Sequence, residues 1–144
     1  MPVFKTGDMW SVFNDVDHFI ITTNAVIKNN GALVMGAGIA RHARDSFPGI
    51  DKEFGQIIQK HSDPYHLILA GKWGLFQVKH HFKEVASLSL IAGSTEDLAE
   101  HANHYPNHSY ALNFPGIGNG GLAIGEVKSV LMELPNNVQI WSFA

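Results

Sequence analysis

Strand-like hydrophobic runs alternate with helical segments along the chain, and this alternation constrains the fold more than any other feature. Phe19–Thr23 is a continuous run of aromatic and β-branched residues, typical of a strand buried on both faces. We predict further strands at Leu67–Ala70, Leu75–Lys79, Tyr110–Phe114 and Val138–Phe143, and helices at Ile39–Phe47, Ile50–Ile58, Leu88–Ala102 and Val127–Leu134. Such alternation indicates an α/β fold with a mixed, mostly parallel central sheet covered by helices on both faces.

Length and composition narrow the class of protein. The chain has 144 residues, so we expect one domain over residues 1–144. No apolar run approaches the ~18 residues that span a bilayer, and Met1–Asp8 lacks the hydrophobic segment of a signal peptide. The absence of cysteine excludes disulfides, thiolate zinc sites and cysteine nucleophiles. We therefore expect an intracellular, cytoplasmic protein, and the net charge of −3 argues against a duplex nucleic-acid-binding domain.

Two glycine-rich loops are the strongest functional signals. Met35–Ala40 runs directly into a predicted helix, and Pro115–Leu122 connects a predicted strand to the last helix. Glycines let the backbone approach a ligand closely, and the start of a helix supplies unpaired N–H groups that bind phosphate. Either loop could instead be a tight turn with a helix cap, but the second contains four glycines where a turn needs one or two. Two such loops in a small domain fit a diphosphate.

Simple nucleotide-binding motifs do not account for these loops. Gly116, Gly118 and Gly121 satisfy the G-x-G-x-x-G spacing between a strand and a helix. A dinucleotide site also needs an acidic residue about 20 positions further on, but residues 135–144 contain no Asp or Glu. Neither loop is followed by the Gly-Lys-Ser/Thr of a Walker A motif.

In their order and spacing, these motifs resemble those of macrodomains, the α/β/α modules that bind ADP-ribose. The resemblance covers nearly the whole chain and rests on Gly7-Asp8-Met9, Ile20–Asn24, Met35–Ala40, Pro115–Gly121 and Trp141–Phe143. Met35–Ala40 is most similar to the branch of hydrolases that remove terminal ADP-ribose from glutamate, whose relatives include ADP-ribose 1″-phosphate phosphatases. The resemblance implies a three-layer α/β/α fold and, as ligand, ADP-ribose or an ADP-ribosylated macromolecule.

The resemblance also implies roles for individual residues. The Asp8 carboxylate would bind the adenine amino group, Trp141–Phe143 would cover the adenine side, and Asn24 would lie beside the distal ribose. Each has a structural alternative: Asp8 can cap a short helix, Asn24 can belong to a turn, and Trp141 or Phe143 can be core residues. The predicted ligand-binding residues are Asp8, Met9, Thr23, Gly36, Ala37, Gly38, Ile39, Pro115, Gly116, Ile117, Gly118, Asn119, Gly120, Gly121, Trp141 and Phe143.

Lys79 is the most informative candidate for chemistry. It ends the second predicted hairpin strand, where the hydrolase branch carries a lysine that attacks the anomeric carbon of the distal ribose. In that branch an Asp of the second loop assists, whereas the matching position here is Leu122 and residues 116–125 contain no carboxylate. Lys79 can instead hold a terminal phosphate or carboxylate as a point charge, or lie exposed to solvent.

Histidines supply the remaining candidates. His80 follows Lys79 and could act as a base near neutral pH, or could be a solvated loop residue. His101 and His104 lie on one predicted helix, but without an H-E-x-x-H motif we predict no metal site. The predicted catalytic set is therefore Lys79, Asn24 and His80, with no cofactor.

Two functions remain open from the sequence. The first is hydrolysis of an ADP-ribose conjugate at the distal ribose, either an ester to protein or nucleic acid or ADP-ribose 1″-phosphate. The second is non-catalytic binding of ADP-ribose by a reader module. Lys79 together with Asn24 favours the enzyme, and the missing loop carboxylate favours the reader. We expect a monomer that associates with neither membranes nor duplex nucleic acid.

Overall fold

A single six-stranded sheet organises the computed structural model, which describes residues 1–143. In chain order the elements are β1 (Val3–Thr6), β2 (His18–Thr23), α1 (Gly38–Ser46), α2 (Ile50–Gln59), β3 (Leu67–Ala70), β4 (Trp73–Gln77), α3 (Leu88–His104), β5 (Tyr110–Asn113), α4 (Ile124–Leu131) and β6 (Val138–Ser142). Two short 3₁₀ turns, Met9–Val12 and Gly118–Gly120, lie in the loops.

The sheet is mixed and mostly parallel, which confirms the prediction. Its strand order is β1-β6-β5-β2-β4-β3, and β3, the partner of β4 in the predicted hairpin, is antiparallel to β4. The remaining neighbours are parallel, so the carboxyl ends of β2, β4, β5 and β6 meet at one edge. Ligands of α/β sheets bind outside the carboxyl ends of the strands, so this edge positions the site.

Two details of the strands differ from the sequence-based prediction. Strand β4 ends at Gln77, so Lys79 lies in the loop that follows the strand and not at its last position. The sequence analysis also missed β1, which pairs with β6 from Val3–Gln139 to Thr6–Ser142. This short edge strand is mostly exposed and therefore carries no hydrophobic run that would reveal it.

Helices cover both faces of the sheet, as the uninterrupted hydrophobicity of β2 predicts. Phe19 and Ile21 pack into the core beneath α1, α2 and the Met9–Val12 turn, whereas Ile20 packs into the core beneath α3 and α4. All three side chains are fully buried. Because successive residues of a strand point to opposite faces, burial on both sides requires a run without polar interruptions.

Helix α3 is the longest element and packs against the second glycine loop. Ser87 caps its start, because the Ser87 hydroxyl accepts a hydrogen bond from the Leu90 N–H at 3.2 Å. Its Ile91 side chain lies so close to Gly116 that a Cβ at that glycine would be 2.6 Å from Ile91 Cδ1. Among residues 1–143, no helix has the length and apolar character needed to cross a membrane.

Candidate functional site

A continuous cleft runs along the carboxyl edge of the sheet between the two glycine loops. It consists of two adjoining cavities of about 420 and 810 Å³. Both are lined by Gly38 and Ile39 of the first loop and by Ile117 and Asn119 of the second. The smaller cavity extends to Asn24 and Lys79, and the larger extends to Asp8 and Trp141, so the loops lie between two chemically different ends.

The first glycine loop presents backbone donors to the cleft. Helix α1 begins at Gly38, where φ is +57°, and the preceding Ala37 provides no side-chain cap. Arg41 is the first residue of this segment whose N–H makes a hydrogen bond; it donates to the Ala37 carbonyl at 3.2 Å. Within the described chain, the N–H groups of residues 36–40 therefore have no hydrogen-bond partner. Together with the positive end of the helix dipole, they form a site for an anion.

The second glycine loop presents a similar set of donors. Three of its glycines have left-handed φ values: +78° at Gly116, +63° at Gly118 and +76° at Gly121. The hydrogen bonds that close the loop are donated by the N–H groups of Gly120, Gly121 and Leu122. The N–H groups of residues 116–119 have no partner within residues 1–143, so this loop is a concave nest of donors.

Asp8 and Trp141 occupy the wide end of the cleft. Oδ1 of Asp8 accepts a hydrogen bond from the Trp10 N–H at 3.0 Å and caps the Met9–Val12 turn, so the predicted capping role is confirmed. Oδ2 of Asp8 has no partner within the described residues and can accept one from a ligand. The indole N–H of Trp141 donates to Gln139 at 3.0 Å while its ring packs against the core, and Phe143 at the same end is 88% exposed.

Lys79 lies at the narrow end of the cleft. Its Nζ donates to the carbonyl oxygens of Phe82 at 3.4 Å and Asn119 at 3.3 Å, both long contacts. The side chain is half-buried and makes no ion pair with any of residues 1–143. The ammonium group is therefore held weakly and can turn toward a bound ligand.

Asn24 and His80, the other predicted catalytic residues, are placed differently from each other. Asn24 lines the cleft beside Lys79, but its amide forms a local turn: Nδ2 donates to the Val34 carbonyl at 3.0 Å, and Oδ1 accepts from the Val26 N–H at 2.9 Å. One Nδ2 hydrogen remains for a ligand. His80 is exposed and does not line the cleft.

A surface contact accounts for the position of His80. Its Nδ1–H donates to the Asp63 carboxylate at 2.8 Å, so the imidazole pairs with that side chain outside the cleft.

Two predicted binding residues also lie outside the lining of the cleft. Pro115 is buried, and a Cβ at Gly121 would face Val85 at 3.4 Å. The remaining predicted binding residues line the cleft.

Further residues line the cleft besides the predicted binding set. Asn113 at the end of β5 accepts a hydrogen bond from the Thr22 N–H at 3.0 Å and donates to the Thr22 hydroxyl at 2.9 Å, which joins two strand ends. Its position directly before the second loop marks it in the sequence as a residue that could orient a water or pack. Trp10, His42 and Phe82 line the cleft because of tertiary packing, and no motif marks them.

A second hollow, of about 730 Å³, lies beside the last turns of α3 and is lined by Asp97, Glu100 and His104, among others. It contains neither glycine loop. Among residues 1–143, no three His, Cys, Asp or Glu side chains are grouped so that they could hold a metal ion. The candidate site is therefore the cleft at the carboxyl edge.

Comparison with known proteins identifies the architecture. The macrodomain of Thermus aquaticus DarG has a TM-score of 0.76 and 24% identity, with 100% of this chain and 98% of that chain covered. The macrodomain of Mycobacterium tuberculosis DarG has a TM-score of 0.76 and 22% identity, with 100% and 99% covered. Thermosipho africanus DarTG, solved in complex with ADP-ribose, has a TM-score of 0.70 and 24% identity. The match covers 96% of this chain but only 41% of that protein. No protein-family model and no curated protein matches the chain. The chain has the macrodomain fold.

Proposed function

We propose that the cleft binds ADP-ribose, with the diphosphate between the two glycine loops. The observation that carries this proposal is that both loops line one cleft and both have backbone N–H groups without partners in the described chain. A diphosphate would satisfy both sets of donors at once. The similarity to DarTG, whose structure contains ADP-ribose, supports the same ligand.

The two ends of the cleft give the ligand a direction. Adenine would lie at the wide end, where Oδ2 of Asp8 can accept a hydrogen bond from the exocyclic amino group and Trp141 and Phe143 provide aromatic surface. The distal ribose would then lie at the narrow end beside Asn24 and Lys79. A substituent on the anomeric carbon of that ribose would therefore be next to the Lys79 side chain.

Hydrolysis at this carbon is the activity that the narrow end supports best. The net reaction adds water across the bond between the anomeric carbon and its substituent, releasing ADP-ribose and a protonated leaving group. As a nucleophile, Lys79 would give its proton to solvent and bond through Nζ to the anomeric carbon while the substituent leaves with the bonding electrons; water would then cleave the new C–N bond and free the amine. As a positive charge, Lys79 would instead lie beside the leaving group while water attacks the carbon directly. The candidate substrates are an ester of ADP-ribose with protein or nucleic acid and ADP-ribose 1″-phosphate. Lys79 carries the role better than His80, because Lys79 lines the cleft and His80 does not.

Non-catalytic binding is the alternative function, and one observation favours it. Lys79 makes no ion pair within residues 1–143, and the second glycine loop offers no carboxylate that would take its proton. A reader would use the same cleft and the same loops, but Lys79 would only hold an anionic substituent.

Binding is tested by calorimetry with ADP-ribose, ADP and AMP. We expect micromolar affinity for ADP-ribose, about −8 kcal/mol, and progressively weaker binding of ADP and AMP. AMP lacks the second phosphate and the distal ribose, so equal affinity for AMP and ADP-ribose would contradict the two-loop site.

Turnover is tested with ADP-ribosyl-glutamate, ADP-ribosylated nucleic acid and ADP-ribose 1″-phosphate in parallel assays. Release of ADP-ribose from any one of them supports the hydrolase and identifies its leaving group. Binding of ADP-ribose without release from any of the three would assign the protein to the reader function.

A further inference from the structure

A fully buried glutamine lies directly behind the narrow end of the cleft. Gln77 is the last residue of β4. Its side-chain amide makes four hydrogen bonds, which use both N–H donors and both lone pairs of the oxygen. Oε1 accepts from the N–H groups of Tyr65 at 2.8 Å and His66 at 3.2 Å. Nε2 donates to the Asp63 carboxylate at 2.7 Å and to the Lys79 carbonyl at 3.2 Å. The amide thus joins residues 63–66 to the backbone of Lys79.

The same segment is joined to the neighbouring strand through the Tyr65 hydroxyl. This hydroxyl donates to the Asn24 carbonyl at 2.7 Å and lies 2.5 Å from Oγ1 of Thr23. A phenol has one proton, so Thr23 must donate to Tyr65. The ring is 8% exposed, and burial raises the pKa of Tyr65 above its ordinary value of 10.0, so the hydroxyl keeps its proton at neutral pH.

Tyr65 therefore connects the two strands whose ends carry Asn24 and Lys79. Thr23 of β2 and Gln77 of β4 are paired directly in the sheet, so Asn24 and Lys79 leave adjacent strands at the same edge. The backbone of Tyr65 bonds to Gln77 and its hydroxyl bonds to Asn24. Tyr65 and Gln77 do not line the cleft, so their contacts act on the site only through these neighbours.

We propose that Tyr65 and Gln77 form a brace that sets the separation of Asn24 and Lys79, and that both are positioning residues for the distal ribose. The proposal rests on the ADP-ribose site described above and goes beyond it by assigning a function to residues outside the cleft. Reactions that depend on geometry are sensitive to small displacements of the reacting groups, so a looser brace should affect the distal ribose and leave the rest of the ligand unaffected.

Tyr65→Phe tests the brace because it removes one oxygen atom and keeps the buried ring. Tyr110→Phe is the matched control: Tyr110 is buried like Tyr65, and its hydroxyl bonds to Nδ1 of His101 at 2.6 Å, at the other end of the sheet. Both variants lose one hydroxyl of a buried tyrosine, with two hydrogen bonds at Tyr65 and one at Tyr110. Only the first lies behind Asn24.

Two readouts are needed for each variant: kcat and KM for the conjugate that the wild type hydrolyses, and dissociation constants for ADP and ADP-ribose. For Tyr65→Phe we expect kcat to fall about tenfold and the preference for ADP-ribose over ADP to shrink about threefold, while the Kd for ADP stays within about twofold. For Tyr110→Phe we expect all of these quantities to match the wild type. Thr23→Val keeps the hydrogen bond from Tyr65 to Asn24 and should therefore have a smaller effect than Tyr65→Phe, and the two changes should not be additive, because the Thr23 hydroxyl bonds to Tyr65.

Each other outcome is decisive. Wild-type kcat and wild-type ligand preference in Tyr65→Phe would overturn the brace, as would equal losses in the two tyrosine variants, which would indicate a general effect of stability. If the wild type binds ADP-ribose without turnover, only the proposed hydrolase activity is contradicted. The preference for ADP-ribose over ADP still tests the brace in that case. A wild type that binds ADP-ribose no better than ADP would overturn both the distal-ribose site and the brace.

Discussion

The two ends of the central sheet differ in what their polar groups contact. At the carboxyl end, the N–H groups of residues 36–40 and 116–119 have no partner within residues 1–143. At the amino end, polar side chains bond to one another: His18 to His108 at 3.1 Å and His101 to Tyr110 at 2.6 Å. Unsatisfied donors are available to a ligand, whereas side chains that hydrogen-bond to one another contribute to stability.

Aromatic packing strengthens this contrast. The His18 ring stacks on Tyr110 with centroids 4.7 Å apart, and Tyr105 stacks on His108 at 4.9 Å. Nδ2 of Asn137 shares its two hydrogens among the carbonyl oxygens of Ala102, Tyr105 and His108, which closes the loop after α3. We therefore expect the carboxyl end of the sheet to bind the ligand and the amino end to contribute to the stability of the fold. Four predictions test this division.

The largest effect should come from Lys79→Ala at the carboxyl end. We expect a loss of turnover of about 100-fold or more, with ADP-ribose affinity within about threefold and an unchanged melting temperature, because the Lys79 contacts in the folded protein are long. Lys83→Ala removes the same charge from an exposed position of the same loop and serves as the control. Wild-type turnover by Lys79→Ala would remove Lys79 from the mechanism.

Gly118→Val should weaken ADP-ribose binding about tenfold, or ~1.4 kcal/mol, because valine disfavours the left-handed backbone and crowds the donor nest. Gly71→Val is matched to it: φ is +61° at Gly71 and +63° at Gly118, and a Cβ meets open space at both positions. Both variants should lose roughly 1–2 kcal/mol of stability. Calorimetry should show weaker binding only for Gly118→Val, and weaker binding by both would contradict the division between the two ends.

Acid should destabilise the amino end. Burial, followed by the charges of neighbouring histidines, lowers the pKa of His18 and of His101 from 6.5. Since the folded-state pKa lies below the unfolded value, these groups contribute stability above pH 6.5 that is lost as the pH falls below it. Urea unfolding should give a lower free energy of unfolding at pH 5.5 than at pH 7.5.

The variant His18→Gln/His101→Gln should have a shallower pH dependence over the same interval, because its side chains do not titrate. A stability that is flat, or that rises toward pH 5.5 in the wild type, would show that the cluster does not resist protonation.

His80→Gln should have the smallest effect. His80 is exposed and pairs with Asp63 at the surface, where an ion pair is worth about 0–1 kcal/mol. We expect kcat to change by less than about twofold, measured beside His81→Gln. A tenfold loss confined to His80→Gln would assign it the role of base that the sequence suggested.

Local patterns were sufficient to predict most of the fold. The two-sided burial of β2 follows from Phe19–Thr23 without knowledge of its neighbours, because only a run of apolar residues can be buried on both faces. Three of the four glycines of the second loop likewise have the left-handed angles that their residue type allows. Strand β1 could not be predicted, because its residues carry no hydrophobic pattern of their own. They form a strand because they pair with β6.

The sequence by itself therefore determined the strands other than β1, the helices and the two loops, since each depends on residues that are close in the chain. Tertiary structure decided which of these elements contact one another. Tyr65 meets Asn24 across 41 positions, and Asn113 meets Thr22 across 91, and no local pattern records these contacts. It also separated Lys79 from its neighbour His80, because only one of them lines the cleft. Hydrogen bonds between distant segments depend on how the sheet and helices pack, and that packing is a property of the whole chain.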